Sequence, residues 1–206
     1  MAKRARPAAD EVVISDVEQL KAISDPLRLR LIEIASEDPS RPWTAKALAE
    51  RLGTKQTKLY HHLNLLEERG FLRVAETRMV SGIVEKGYAA TARSYRLEPG
   101  LLGGSAAGDK ALDDMLDAVF TKSRSEIIAA VRAGAITLGE REDTSRSLAL
   151  WLGSARLSRA NAKRVIRLVE RLAAVDEHED PDGTEYGLLV GFYPRAPEKQ
   201  LKGQDR

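Results

Sequence analysis

At 206 residues, 43% of them apolar and 31% charged, the chain has the composition of an ordinary globular protein and the length for one large domain or two small ones. It contains no cysteine, which excludes disulfides, thiolate metal sites and thiol redox switching, and no run approaches the roughly 18 apolar residues of a membrane span. The net charge is only +2, but residues 41 to 97 carry eleven Lys and Arg against five Asp and Glu, whereas residues 8 to 40 carry three against eight and residues 98 to 206 sixteen against eighteen.

The opening MAKRARPAADE lacks the apolar core of a signal peptide, so the protein is expected in the cytoplasm. Residues 1 to 15 read as a basic flexible arm bearing Lys3, Arg4 and Arg6. Asp16 then caps a helix with Val17, Leu20 and Ile23 on one face. Ser24 or Asp25 caps a second, with Pro26 in its first turn and Leu27, Leu29, Leu31, Ile32 and Ile34 filling it to about Ser36. The polar EDPSRP at 37 to 42 is a loop, Trp43 and Thr44 form a short strand, and Thr44 caps a third helix reaching Leu52. A fourth helix starts near Thr54 and stops at Gly70, a residue suited to a left-handed cap. Leu48, Ala49, Leu52, Leu59 and Leu63 lock the third and fourth helices together and leave the outer face of the fourth free.

Beyond Gly70 the apolar period changes from 3.6 to 2. FLRVAETR at 71 to 78 and IVEKGYAA at 83 to 90 predict a hairpin joined by Met79, Val80, Ser81 and Gly82, and ARSYRL at 92 to 97 is a further extended piece. Residues 98 to 108, rich in Gly, Ser and Ala, read as a linker. A long helix then runs from Asp109 to about Ile136. Its stripe of Leu112, Leu116, Val119, Phe120 and Ile127 needs a partner surface and is the expected dimer interface. SLALWLG at 147 to 153, a helix at 158 to 175 and EYGLLVGFY at 185 to 193 predict a strand-helix-strand layer, followed by a frayed tail at 195 to 206. The predicted fold class is therefore α+β: an N-terminal winged helix-turn-helix domain at 16 to 97, then a dimerisation and effector domain at 109 to 194 made of the long helix and the small α/β layer.

The fourth helix carries the functional signal. Lys55, Gln56, Thr57, Lys58, Tyr60, His61 and Asn64 lie on its exposed face, the layout of a helix that reads a major groove. Gln56 can bond an adenine edge in bidentate fashion, Thr57 can meet a thymine methyl or a phosphate, and Lys58 can neutralise phosphate or reach a guanine acceptor. Tyr60 and His61 share that surface, Asn64 lies one turn further on, and His62 turns toward the helix interface. Arg78 and Lys86 on the hairpin are placed for phosphates. The plain counterpart of each is an exposed polar residue on a solvated surface, and what favours contact is the positive excess concentrated in this segment.

Between Leu20 and Leu97 the chain resembles the ArsR family of bacterial winged-helix transcription regulators, since SDPLRLRLIEIAS, TKQTKLYHHLNLLEERGF and the wing hairpin follow in that family's order. The resemblance implies a homodimer that binds double-stranded operator DNA through helix 55–69 and wing 71–90, repressing transcription until an effector alters the dimer, and a nucleoid-associated location. Metal-sensing members use cysteines on the helix matching Thr44 to Leu52, or Asp and His on a C-terminal helix. This chain has neither set, so no metal site and no cofactor is carried over, and a small-molecule effector stays open.

The competing reading is a winged-helix protein-interaction or assembly module without sequence-specific DNA binding. No enzyme is expected: there is no HExxH, no GxSxG, and GLLGGSAAGD lacks the lysine and preceding strand of a phosphate loop. Arg159, Lys163, Arg164, Arg167 and Arg171 read as a solvated helix face, with an anionic ligand as the alternative. Trp151, Tyr186, Phe192 and Tyr193 read as core, with an apolar effector pocket as the alternative.

Overall fold

The computed structural model describes residues 7–80, 82–98, 101, 105–136, 148–150, 153–173 and 186–194. The chain is α+β and divides into two units, Met1–Arg132 and Ala133–Arg206.

In the first unit, capping residues start three helices where the sequence places them. Asp16 Oδ1 accepts the Gln19 N–H at 2.7 Å and opens α1 (Val17–Ile23). Asp25 Oδ1 accepts the Arg28 N–H at 2.9 Å and opens α2 (Pro26–Glu37), whose first residue, a proline, sacrifices no intrahelical bond. After β2 (Trp43–Thr44), Thr44 Oγ1 accepts the Ala47 N–H at 3.1 Å and opens α3 (Ala45–Arg51). α4 (Gln56–Glu68) starts without a side-chain cap behind Lys55 and ends at Gly70, whose φ of 80° is the left-handed conformation expected there. Leu20, Leu31, Leu48, Leu59, Leu63 and Leu66 are completely or almost completely buried in one core shared by these four helices. Each such leucine contributes about 1.5–3 kcal/mol relative to an exposed position.

β3 (Leu72–Val80) and β4 (Ile83–Ala90) form the wing, antiparallel and in a three-stranded sheet of order β2-β4-β3. Pairing continues through Met79 with Val84 and Val80 with Ile83, so the four-residue connection read from the sequence is a two-residue one. Gly82, at φ 81°, supplies the positive φ that a two-residue hairpin turn demands.

Three expectations are corrected. Residues 9 to 14, assigned above to a flexible arm, form a strand, β1 (Ala9–Ile14), parallel to β5 (Ala92–Leu97) and ending in the buried Ile14. Its partner lies some eighty residues away, so nothing local announced it. Residues 98 to 108 do not separate two domains, because α5 (Ala106–Arg132) belongs to the first unit and packs on α1 and α2. Gly108, Ala111 and Ala118 are the buried residues, and Met115 joins the core. Ala111 and Ala118, small side chains of the predicted helix, lie buried on that packed side. Lys122 fixes the register, 3.0 Å from both Glu33 on α2 and Glu126.

The third correction concerns the second unit. Its one described helix, α6 (Arg159–Ala173), starts where Ser158 Oγ accepts the Asn161 N–H at 3.2 Å. The strands expected at 147 to 153 and 185 to 193 are not formed among the described residues: 148–150, 153–158 and 186–194 pair with nothing in a sheet. A strand without a ladder partner leaves its backbone to water and is not stable alone. Tyr186, Phe192 and Tyr193 are accordingly exposed rather than core, and Trp151 lies outside the described residues, as do the 1–6 part of the arm and the 195–206 tail.

Candidate nucleic-acid interface

α4 is held from behind and open in front. Leu59, Leu63 and Leu66, spaced four and three apart, point into the core, so Thr57, His61 and Asn64, at the same spacing, point the opposite way into solvent. Lys55 and Lys58 stand exposed at the N-terminal end of this face and Glu68 at its C-terminal end. That gradient favours an approach of phosphates to the first turns of the helix, where its own dipole is also positive.

The flank of α4 nearer the wing carries Gln56 and Tyr60. Gln56 Nε2 donates to Tyr60 Oη at 2.6 Å across one helical turn, which leaves the Gln56 amide oxygen and the Tyr60 hydroxyl hydrogen to other partners. Gln56 is half-buried while Tyr60 stays open, so the two present one oriented polar group rather than two independent side chains.

His62 turns inward as the sequence suggests, and the group it faces there is the Asp25 carboxylate. Its Nδ1 is 3.9 Å from Asp25 Oδ1 at the start of α2, too far for a hydrogen bond, and it is buried without another partner. Burial holds its pKa below the ordinary histidine value. Asp25 opposes that shift, and Arg28 and His61 reinforce it. His61 meets the His62 ring edge-on, centroids 5.9 Å apart, and remains exposed.

The two wing cations are placed differently from a pair of free phosphate ligands. Lys86 Nζ donates to Glu67 Oε2 on α4 at 2.9 Å, a hydrogen bond that raises its pKa above the ordinary lysine value, with partial burial pulling the other way. The wing is thereby tied to α4. Arg78 Nε donates to Glu85 Oε2 at 2.6 Å, its direct cross-strand neighbour. Glu67 and Glu85 were not singled out from the sequence. Glu85 was findable, because pairing of Val80 with Ile83 puts 78 opposite 85, while Glu67 required the tertiary placement of the wing.

The expected dimer residues all lie on α5, away from the buried line of Ala111, Met115 and Ala118 by about a quarter to a half of a turn of the helix. Leu112, Val119 and Ile127 are half-buried, and Leu116 and Phe120 are 42% and 58% exposed.

Residues 23–75 match the family model of a helix-turn-helix domain, which spans α2, α3 and α4 and reaches the first strand of the wing. Comparison with the curated proteins gives no match. A helix-turn-helix domain supports a DNA-binding regulator in general terms. Among the described residues no helix is long and apolar enough to cross a membrane.

Proposed function

We propose that this protein is a transcription regulator of the ArsR type that binds operator DNA as a homodimer, with α4 in the major groove and the wing beside it. The observation that carries this reading is the face of α4. Thr57, His61 and Asn64 form a solvent-open line, lysines stand at its N-terminal end, and three fully buried leucines brace it from behind, all inside the matched helix-turn-helix segment. Lys55 and Lys58 would neutralise phosphates, while Gln56, Thr57, Tyr60 and His61 would read bases, with Asn64 at the far end of the contact.

The homodimer is supported by apolar surface that one copy leaves uncovered. Leu116 and Phe120 on α5 are exposed beside Leu112, Val119 and Ile127, and in the second unit Leu188, Leu189 and Val190 are exposed on a segment with the pattern of a strand. A twofold dimer through such surfaces sets the spacing of two α4 helices and hence of two half-sites about one DNA turn apart. Repression follows by occlusion of a promoter, and an effector would act by preferring one spacing over another.

Selection of duplexes from a random pool by the full-length protein tests the reading. The expected outcome is enrichment of a near-palindromic sequence. His61→Ala should relax base preference, and Lys58→Ala should weaken all duplexes alike. Absence of any enriched sequence, together with equal affinity for random DNA, would refute it in favour of an assembly module.

A further inference from the structure

The wing ends in apolar side chains where a phosphate-binding wing would carry free cations. Met79, Val80 and Val84 are 68%, 45% and 59% exposed at the tip. The two cations nearest to them, Arg78 and Lys86, are each already ion-paired. Counterion release therefore gives this tip little to gain from a phosphate.

The placement of that apolar surface is specific. Met79 pairs with Val84 and Thr77 with Lys86, so side-chain alternation along the hairpin puts Met79, Val84 and Lys86 on one face of the wing. Lys86 is the residue bonded to Glu67 of α4, so this face of the wing borders the flank of α4 beside its open line. From Lys86 the hairpin runs about four residues to its turn, roughly 13 Å at about 3.3 Å per residue. A minor groove lies about half a helical repeat, ~17 Å, from the major groove beside it. The extended Met79 side chain covers much of the difference.

We infer that the wing tip enters the minor groove next to the α4 site as an apolar wedge, with Met79 and Val84 pressing on a base step and bending the duplex. This rests on the proposed DNA-binding function and adds to it a deformation that α4 alone does not produce. Wedges of this chemistry partly unstack a step and kink the duplex by about 20–90° toward the major groove. They select flexible pyrimidine–purine steps, so the operator carries sequence preference at a position no polar side chain reads.

The test uses the full-length protein and a duplex of about 30 base pairs enriched from a random pool, labelled at both ends for energy transfer. The wild-type protein should shorten the end-to-end distance. Met79→Ser/Val84→Ser should still bind but leave the duplex straight, with affinity reduced several-fold, and Met79→Leu should keep the bend. Both substituted side chains are exposed, and an unchanged circular dichroism spectrum confirms the fold of the variants. Binding by the wild type without bending, or equal bending by the double serine variant, would overturn the wedge while leaving DNA binding intact and would assign the tip to a protein partner. If no duplex is enriched, the DNA-binding reading fails and the wedge with it.

Discussion

Replacing Glu67 and Lys86 together separates a tether from a phosphate contact. The side chains meet at 2.9 Å and are 31% and 41% exposed, so water screens the pair. An ion pair this open is worth about 0.2–1 kcal/mol, and Glu67→Gln/Lys86→Gln should destabilise the free protein by no more than that. On DNA the two roles diverge. Each phosphate neutralised adds about 0.9 to the slope of log affinity against log salt. A lysine that stays with its glutamate brings no net charge to the duplex. The double variant should therefore keep the wild-type slope, while Lys58→Ala should flatten it by about 0.9. Fluorescence anisotropy of a labelled cognate duplex between about 50 and 200 mM salt resolves that difference. A slope loss in the double variant equal to that of Lys58→Ala would refute the argument, since Lys86 would then leave Glu67 for phosphate on binding.

Leu63→Ala removes a fully buried side chain between α4 and the core and should cost about 2–5 kcal/mol in denaturant unfolding; a cost under 1 kcal/mol would mean that α4 is not braced as described. His62 has its folded pKa depressed by burial, so as pH falls below its unfolded value of about 6.5 the unfolded chain takes up the proton first and stability declines until the folded state protonates too. His62→Asn should remove that part of the pH dependence below neutral pH, and an unchanged profile of melting temperature against pH would show that the histidine is not its source. Leu116→Asp places a charge on the open stripe of α5, and sedimentation should then report monomers if that stripe is the dimer seam; an unchanged mass would exclude it.

What the sequence made legible was whatever local chemistry decides. Asp16, Asp25 and Thr44 start their helices because each carries a short side-chain acceptor next to an apolar-periodic run, and Gly70 ends α4 because only glycine takes a positive φ without strain. The face of α4 was legible for the same reason, since a period of 3.6 separates Leu59, Leu63 and Leu66 from Thr57, His61 and Asn64. Features that depend on distant partners were not. β1 exists only through β5, and Glu67, the partner of Lys86, and Glu33, one of the two partners of Lys122, sit on other elements. α5 was recognised as a helix but assigned to a second domain, because the Gly- and Ser-rich residues before it look like a linker until α1 and α2 are seen to lie against the helix. The strands expected after residue 147 have the right alternation but no ladder partner among the described residues, and pattern alone cannot provide one.

The packing of α5 bears on how α4, the proposed reading helix, can be controlled in a chain without cysteine. One line of α5, Ala111, Met115 and Ala118, is held against α1 and α2, and Lys122 on the same line is pinned to Glu33 of α2. α2 in turn packs on α4, with Asp25 at its N-terminus 3.9 Å from His62. Close-packed helices move as rigid pieces rather than deforming continuously. If the open line of α5 meets its copy, a change in the crossing of the two α5 helices should then carry both α4 helices with it, because among the described residues α5 packs on α2 and α2 on α4. Spatial adjacency of this kind becomes coupling only when two arrangements exist and a ligand prefers one. A double-mutant cycle between Lys122→Met and Leu116→Ala, read out as operator affinity, measures it. A coupling energy of about 0.5–2 kcal/mol is expected for linked sites, and strict additivity would show that α5 sets dimer stability without setting the spacing of the reading helices.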